Sequence, residues 1–337
     1  MTEQAHRINT GRKQNKVALI GFGRQMREFL IPSILLSNAG QIVAVDRRAR
    51  AAKTVDIGGI AVPLVRNLLH ALEDHGVTHV VAATNPASHF DIVEACSDLR
   101  LHCFVEKSPC RTSQQLLTMI AKQAAAGSDV AVGLNYRYAA LLSQMMDIRN
   151  NQLSSRAGST WIRFRGHVSP DIASRYGCWV ECVLLELGVH AIDLSCNIFG
   201  ADHLEQFEVT GEEVDMTIWC RLRNRTSGDT VHVCIQSASG PFTSSIECTT
   251  LGGGELCLRN FSEIELLDPQ QRVFEDHAFA GKAVHTYVWP ARRSSFEKNG
   301  YVGCLNAFFD GCGPTLASLL KPYDAIDTLI ASRERRK

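Results

Sequence analysis

Five short runs over the first 135 residues are apolar at consecutive positions, and helix-like stretches separate them. The runs are KVALIG (16–21), QIVAVD (41–46), THVVAAT (78–84), HCFVEK (102–107) and DVAVGLN (129–135). A strand that is apolar without alternation is buried on both faces. The segments between them, 24–38, 66–75, 88–98 and 113–126, carry helical patterning. Strands alternating with helices build a parallel sheet covered on both sides, and right-handed crossovers make it doubly wound.

Beyond residue 150 the periodicity changes. STWIRFRG (159–166) alternates, as a strand with one covered face does. Six further runs follow, EQFEVTG, DMTIWCRL, TVHVCIQS, SSIECTT, GELCLRN and EIELLD, and turns separate them. They predict an open, mostly antiparallel sheet. Gly252–Gly254 reads as a hairpin turn, because no helix follows it, and 295–309 and 323–333 read as helices. At 337 residues the chain is too long for one ordinary core. The expected class is α/β: an N-terminal Rossmann doubly wound parallel sheet, then a C-terminal α+β domain with the open sheet. The expected division is a tail over 1–15, a dinucleotide-binding domain over 16–136 and a substrate-binding and oligomerisation domain over 137–337. The last helix is free to pack back on the first domain.

ALIGFGRQM places Gly21 and Gly23 at the first strand-to-helix turn. The first glycine permits the tight turn, and the second lets a pyrophosphate approach the backbone at a helix N-terminus. The third glycine of the usual pattern is Met26 here. Asp46 stands at the end of the second strand, where an acid binds adenosine ribose hydroxyls. It favours NAD; Arg47 and Arg48 after it suit the extra phosphate of NADP.

The second informative stretch is VLLELGVHAIDLSCNIFG (183–200), apolar except for Glu186, His190, Asp193 and Asn197. At 100° per residue these four fall within about 60° of one another. A narrow polar stripe on a buried helix must be paired or must face a cleft, because unpaired buried charge is costly.

Formal net charge is zero, which argues against nucleic acid or an anionic membrane as partner. No apolar run is long enough to span a bilayer. The first sixteen residues lack the apolar centre of a signal peptide. Twelve cysteines are scattered without metal-finger spacing. They predict free thiols in a reducing cytoplasm and no metal site.

Several motifs together resemble the glucose–fructose oxidoreductase/inositol dehydrogenase/MocA family of NAD(P)-dependent oxidoreductases. They are GFGR, ATNPASHFDIVEAC, VEKSP, VGLNYRY and LLELGVHAIDL, in that order. The resemblance implies that Gly21, Phe22, Gly23, Arg24, Gln25, Met26, Asp46 and Arg47 contact the cofactor. It adds Thr84, Asn85, Pro86, His89, Glu106, Lys107 and Asn135 to that set. It implies Lys107, Glu186 and His190 as catalytic residues, Lys107 polarising the substrate oxygen and His190 handling the proton. Arg137, Arg175, Tyr176, Trp179 and Asp193 are expected at the substrate, with Asp193 also suited to a structural bond. Glu186 stands where the family has Asp, and Ser108 where it has proline.

The implied activity is hydride transfer to or from a sugar, cyclitol or related polyol derivative. An imine or non-sugar ketone reductase is the second possibility, and a dinucleotide-binding sensor without catalysis the third. An open sheet needs a cover for its outer face, so a homodimer or homotetramer through the C-terminal sheet is expected.

Overall fold

The computed structural model describes residues 15–47, 54–151, 157–250, 254–273, 281–290 and 294–334. The N-terminal tail over 1–14, Arg48, Gly252, Gly253 and the last three residues of the RERRK end lie outside them.

Seven strands form the first sheet: β1 (Val17–Ile20), β2 (Ile42–Val45), β3 (Thr54–Ile57), β4 (Ile60–Val65), β5 (His79–Ala82), β6 (His102–Val105) and β7 (Val130–Val132). Their order is β3-β4-β2-β1-β5-β6-β7, parallel except for the β3–β4 hairpin. The order reverses around β1, the switch point at which doubly wound sheets bind ligands beyond the carboxyl ends of their strands. The lack of alternation has its predicted cause. Val17 and Leu19 of β1 pack into one core and Ala18 into the other, and Phe104 divides from Cys103 and Val105 in β6 in the same way.

The β3–β4 hairpin was not anticipated from the sequence. Gly58 and Gly59 both take positive φ, which is what a two-residue hairpin loop demands, and Asp56 Oδ1 accepts the Gly59 N–H at 3.2 Å.

The second sheet has eight strands: β8 (Ala157–Gly166), β9 (His203–Thr210), β10 (Thr217–Arg223), β11 (Thr230–Ser237), β12 (Thr243–Thr250), β13 (Glu255–Arg259), β14 (Glu263–Val273) and β15 (Gly281–Val288). Their order is β15-β14-β13-β12-β8-β11-β10-β9. β8 and β11 run parallel and the remaining pairs antiparallel. Alternation is regular: Val231, Val233 and Ile235 of β11 are buried, and the residues between them are half-buried. β15 and the helix Ala140–Asn151 are additions to the sequence reading.

One apolar core runs from the first sheet through the 179–197 helix to the inner face of the second sheet. The seam between the sheets is therefore packed. A second core, on the far side of the first sheet, is completed by Cys304, Leu305, Phe308 and Phe309 of the helix Tyr301–Phe309. Val132 also donates its N–H to the Pro314 carbonyl at 2.8 Å, so the end of the chain returns to the first sheet. All twelve cysteines are free thiols. Among the described residues no helix is long and apolar enough to cross a membrane.

Candidate active site

The carboxyl ends of β6 and β7 deliver Glu106, Lys107, Ser108, Asn135 and Arg137 to the seam, and the polar stripe of the 179–197 helix meets them there. Lys107 Nζ donates to Glu186 Oε2 at 2.8 Å and to the Glu186 carbonyl at 2.9 Å. The carbonyl contact has a local cause. Residues Leu184–Gly188 form a π-helical turn, a wider turn whose backbone bonding departs from the α pattern. Tyr176, from the loop ahead of the helix, donates its hydroxyl to Glu186 Oε1 at 2.6 Å. Both carboxylate oxygens are thereby engaged. Burial pushes the Glu186 carboxyl upward in pKa, but the charge and hydrogen bond of Lys107 and the Tyr176 hydroxyl outweigh it, so the net shift is down.

Ser108 occupies the place where the motif has proline, and the Lys107–Ser108 peptide is cis. Its hydroxyl donates to the Leu185 carbonyl at 2.9 Å, which ties β6 to the helix. Its own carbonyl lies 2.8 Å from His89 Nδ1. His89 Nε2 is buried without a partner among the described residues.

His190, one turn on from Glu186, is buried with its ring 4.7 Å from that of Tyr136. Burial, together with the charges of Lys107 and Arg137, pushes its pKa down to about 3. It is a neutral imidazole across the physiological range. Tyr136 in turn stacks on Phe261 at 4.4 Å and lies parallel to Phe242 at 6.1 Å. Phe242 is an exposed aromatic, and the group makes an apolar wall beside His190.

Several expected contacts turn out to be committed within the protein. Arg137 Nε donates to Asp193 Oδ2 at 2.8 Å, its Nη2 contacts Asp193 Oδ1, and Nη2 reaches Ser318 Oγ at 3.0 Å. Asn197 Nδ2 adds a bond to Asp193 Oδ1 at 3.0 Å. Asp193 is 1% exposed, a buried acid held by Arg137 and Asn197. Glu106 is also buried: it accepts from Gln25 Nε2 at 3.1 Å and from the Lys107 N–H at 3.3 Å, and burial raises its pKa. Asn135 spends its side-chain amide on the Asn299 carbonyl at 2.7 Å. The side chains of Glu106 and Asn135 therefore tie the seam to the elements around it. The Asn85 side chain caps the turn Pro86–Ser88, and Arg24 pairs with Glu28 on the surface.

The structure places the Met26 side chain in the interior. Its side chain is 0% exposed and packs with Leu30 and Ile34 between the first helix and the sheet. It does the helix–sheet packing of the missing glycine by filling the space, and it offers no side-chain surface to a ligand.

The glycine turn keeps what a dinucleotide needs. Gly21 has φ +85°, and a Cβ there would lie 2.5 Å from the Ala83 carbonyl oxygen. Gly23 has nothing within 4 Å of its would-be Cβ, so open space lies against the backbone where the helix begins. Asp46 sits half-buried at the carboxyl end of β2, and Arg47 after it is exposed. Thr84 and Pro86 are half-buried at the end of β5, next to the glycine turn. Tyr176 and Trp179 are half-buried and pack against the core, and Arg175 is exposed.

Sequence reasoning missed the clamp that holds this loop. Arg111 binds Glu181 through Nε and Nη2, at 2.7 and 2.8 Å, and Glu181 Oε2 accepts the Gly177 N–H at 2.7 Å. No local pattern links Arg111 to a residue so far along the chain. Tyr136 and Phe242 were missed as well, although Tyr136 lies between two residues of a noted motif.

A doubly wound sheet with an open glycine turn, an acid ending its second strand and a lysine at the seam defines a dinucleotide-binding α/β domain. Comparison with known families agrees: residues 15–134 match the GFO_IDH_MocA model, described as an oxidoreductase family with an NAD-binding Rossmann fold. The matched residues are those of the seven-stranded sheet and its helices. A comparison with curated protein sequences finds no match. Among solved structures, a dehydrogenase from Chromobacterium violaceum is 23% identical, with TM-score 0.84 over 95% of each chain. An oxidoreductase from Agrobacterium radiobacter, in complex with NAD+, L-tartaric acid and magnesium, is 17% identical with TM-score 0.76, covering 96% of this chain and 98% of that one. KijD10, a 3-ketoreductase from Actinomadura kijaniata in complex with NADP and TDP-benzene, is 17% identical with TM-score 0.68, covering 94% and 96%. At these identities the likeness is one of fold, and it extends through both sheets.

Proposed function

We propose that the chain is an NAD(P)-dependent oxidoreductase moving hydride between nicotinamide C4 and a carbinol or carbonyl carbon of a sugar, cyclitol or related polyol derivative. The observation that carries this is the Lys107–Glu186–Tyr176 chain, set at the strand ends within the same seam as His190. The bound dinucleotide supplies or accepts the hydride. Gly21 and Gly23 shape its pyrophosphate turn, and Asp46 binds the ribose hydroxyls and favours NAD. Two of the similar structures, solved with NAD+ and L-tartaric acid and with NADP and TDP-benzene, support the class.

The Lys107 ammonium polarises the substrate oxygen and, in the reductive direction, hands it a proton. Glu186 grips the ammonium by a carboxylate oxygen and a carbonyl, and Tyr176 fixes the carboxylate. His190 stays at the oxygen as a neutral hydrogen-bonding group, because two nearby cations and burial oppose its protonation. This moves the proton from His190, where the motif alone would put it, to Lys107. Arg175 at the loop surface, with Tyr176 and Trp179, edges the substrate.

Calorimetry with NAD, NADH, NADP and NADPH tests the cofactor, and failure of all four to bind would end the proposal. A screen of sugars, cyclitols, ketones and imines at the nicotinamide absorbance band then separates polyol from imine chemistry. The open outer face of the second sheet supports a homodimer or homotetramer; sedimentation showing only monomers at micromolar concentration would reject it. The free thiols support a reducing, cytoplasmic location.

A further inference from the structure

We propose that Arg111 and Glu181 are positioning residues for the seam: their ion pair holds the loop 174–178 so that Tyr176 meets Glu186. Their effect on turnover rests on the hydride-transfer reading above; their hold on the loop does not.

The pair joins two separate stretches of chain. Arg111 lies four residues beyond Lys107, on the stretch that leads from β6 to the helix Ser113–Ala126. Its backbone is anchored there: its N–H donates to Gln115 Oε1 at 2.9 Å, and the Tyr323 hydroxyl donates to the preceding Cys110 carbonyl at 2.7 Å. Glu181 lies on the short helix Trp179–Val183, and its side chain is only 10% exposed. A carboxylate that deep needs donors, and it has three: Arg111 Nε, Arg111 Nη2 and the Gly177 N–H. The two-pronged guanidinium contact fixes the plane of the carboxylate, which a point cation does not.

Gly177 passes that order on to the site. A Cβ there would lie 3.0 Å from Glu181 Oε2 and 3.4 Å from Arg111 Nη2, so a side chain at this position would crowd the pair. The N–H that binds Glu181 belongs to the peptide bond between Tyr176 and Gly177. Glu181 therefore fixes the backbone from which the Tyr176 phenol extends to Glu186 Oε1. Lys107 grips the other carboxylate oxygen of Glu186. One stretch of chain thus acts on Glu186 from both sides, directly through Lys107 and through the loop by way of Arg111.

The hold has a consequence for the charge on Glu186. Lys107, Tyr176 and Arg175 keep the carboxylate ionised against burial, and Glu106, Cys182 and His89 are the other titratable groups near it. Losing the Tyr176 bond removes one of the supports, so Glu186 takes up a proton at higher pH.

The test compares the intact protein with Arg111→Gln, Arg111→Lys, Tyr176→Phe and the double variant Arg111→Gln/Tyr176→Phe. Hydrogen exchange of the segment 174–178, followed by mass spectrometry without ligand, should quicken by about tenfold in Arg111→Gln, the scale of a charge-assisted hydrogen bond in a partly exposed pair. Arg111→Lys should quicken it less. With a substrate from the screen above, the acid limb of the kcat/KM profile should move to higher pH in both Arg111→Gln and Tyr176→Phe. The double variant should lose no more activity than the worse single one, because both changes act on one contact. Unchanged exchange in Arg111→Gln overturns the proposal whether or not any substrate is turned over. So do additive losses in the double variant, or an acid limb that Tyr176→Phe moves and Arg111→Gln does not. Failure of every dinucleotide to bind strikes the hydride-transfer reading alone, and exchange still decides the hold on the loop.

Discussion

Replacing Arg137 with Met should destabilise the fold by about 3–4 kcal/mol, the range for leaving one charge of a buried pair without its partner. Asp193 is 1% exposed and would lose both guanidinium contacts, keeping the Asn197 amide at 3.0 Å. Ser318 Oγ would lose its donor as well. The cost is capped because Asp193 can escape by taking up a proton. Burial already pushes its pKa up against the pull of Arg137, and without Arg137 it rises further. The Arg137→Met defect should therefore shrink as pH falls from 8 to 5, by up to about 1.4 kcal/mol per unit over the pH interval in which Asp193 is protonated in the folded variant but not in the folded parent. Adding Asp193→Leu removes the orphaned charge and should recover most of the loss. Urea denaturation at several pH values reads all three quantities. A single-variant defect below about 1 kcal/mol, or a double variant no better than the single, would refute the view that this pair is a buried charge balance.

Lys107→Met should lower turnover by about a hundredfold or more, the scale of losing an acid that also stabilises charge, with cofactor affinity largely unchanged by calorimetry. Gly21→Ala and Gly23→Ala should part company. The first meets backbone at 2.5 Å and lowers the melting temperature; the second meets nothing, leaves the melting temperature alone, and abolishes dinucleotide binding by filling the cradle. His190 has a folded pKa of about 3 against about 6.5 unfolded, so the unfolded chain takes up its proton first. Its stability contribution is whole above about pH 6.5 and declines as pH falls toward 3, by about 1.4 kcal/mol per unit. Thermal melts of His190→Asn should show a flatter acid limb, and an identical limb would count against the burial argument.

The parts of this architecture legible in sequence are those written in short-range pattern. Uninterrupted apolar strands marked a sheet covered on both faces, and the alternation of β11 marked a sheet covered on one. The polar stripe from Glu186 to Asn197 was legible as something that had to be paired. The identity of each partner was not, because Lys107 and Arg137 meet the stripe only through tertiary packing. Glu106 and Asn135 stand in motif positions, but burial depth is no local property, and their side chains face inward. The packing role of Met26 was not legible, because a residue count cannot distinguish a glycine needed for backbone approach from one that merely makes room. The β3–β4 hairpin was hidden by brevity, with Pro63 in its second strand masking the β signal.

The return of the helix Tyr301–Phe309 to the first sheet bears on how the polypeptide matures. A ribosome releases the seven-stranded sheet early, yet Cys304, Leu305, Phe308 and Phe309 arrive only after the whole second sheet. Until then Leu19, Phe104 and Ala131 lack part of their cover, so the nascent N-terminal half is a sticky intermediate that must wait for its own C-terminus. Cutting the gene between the two sheets would not yield a self-sufficient nucleotide-binding module; fusing residues 294–334 back onto it is what would restore one.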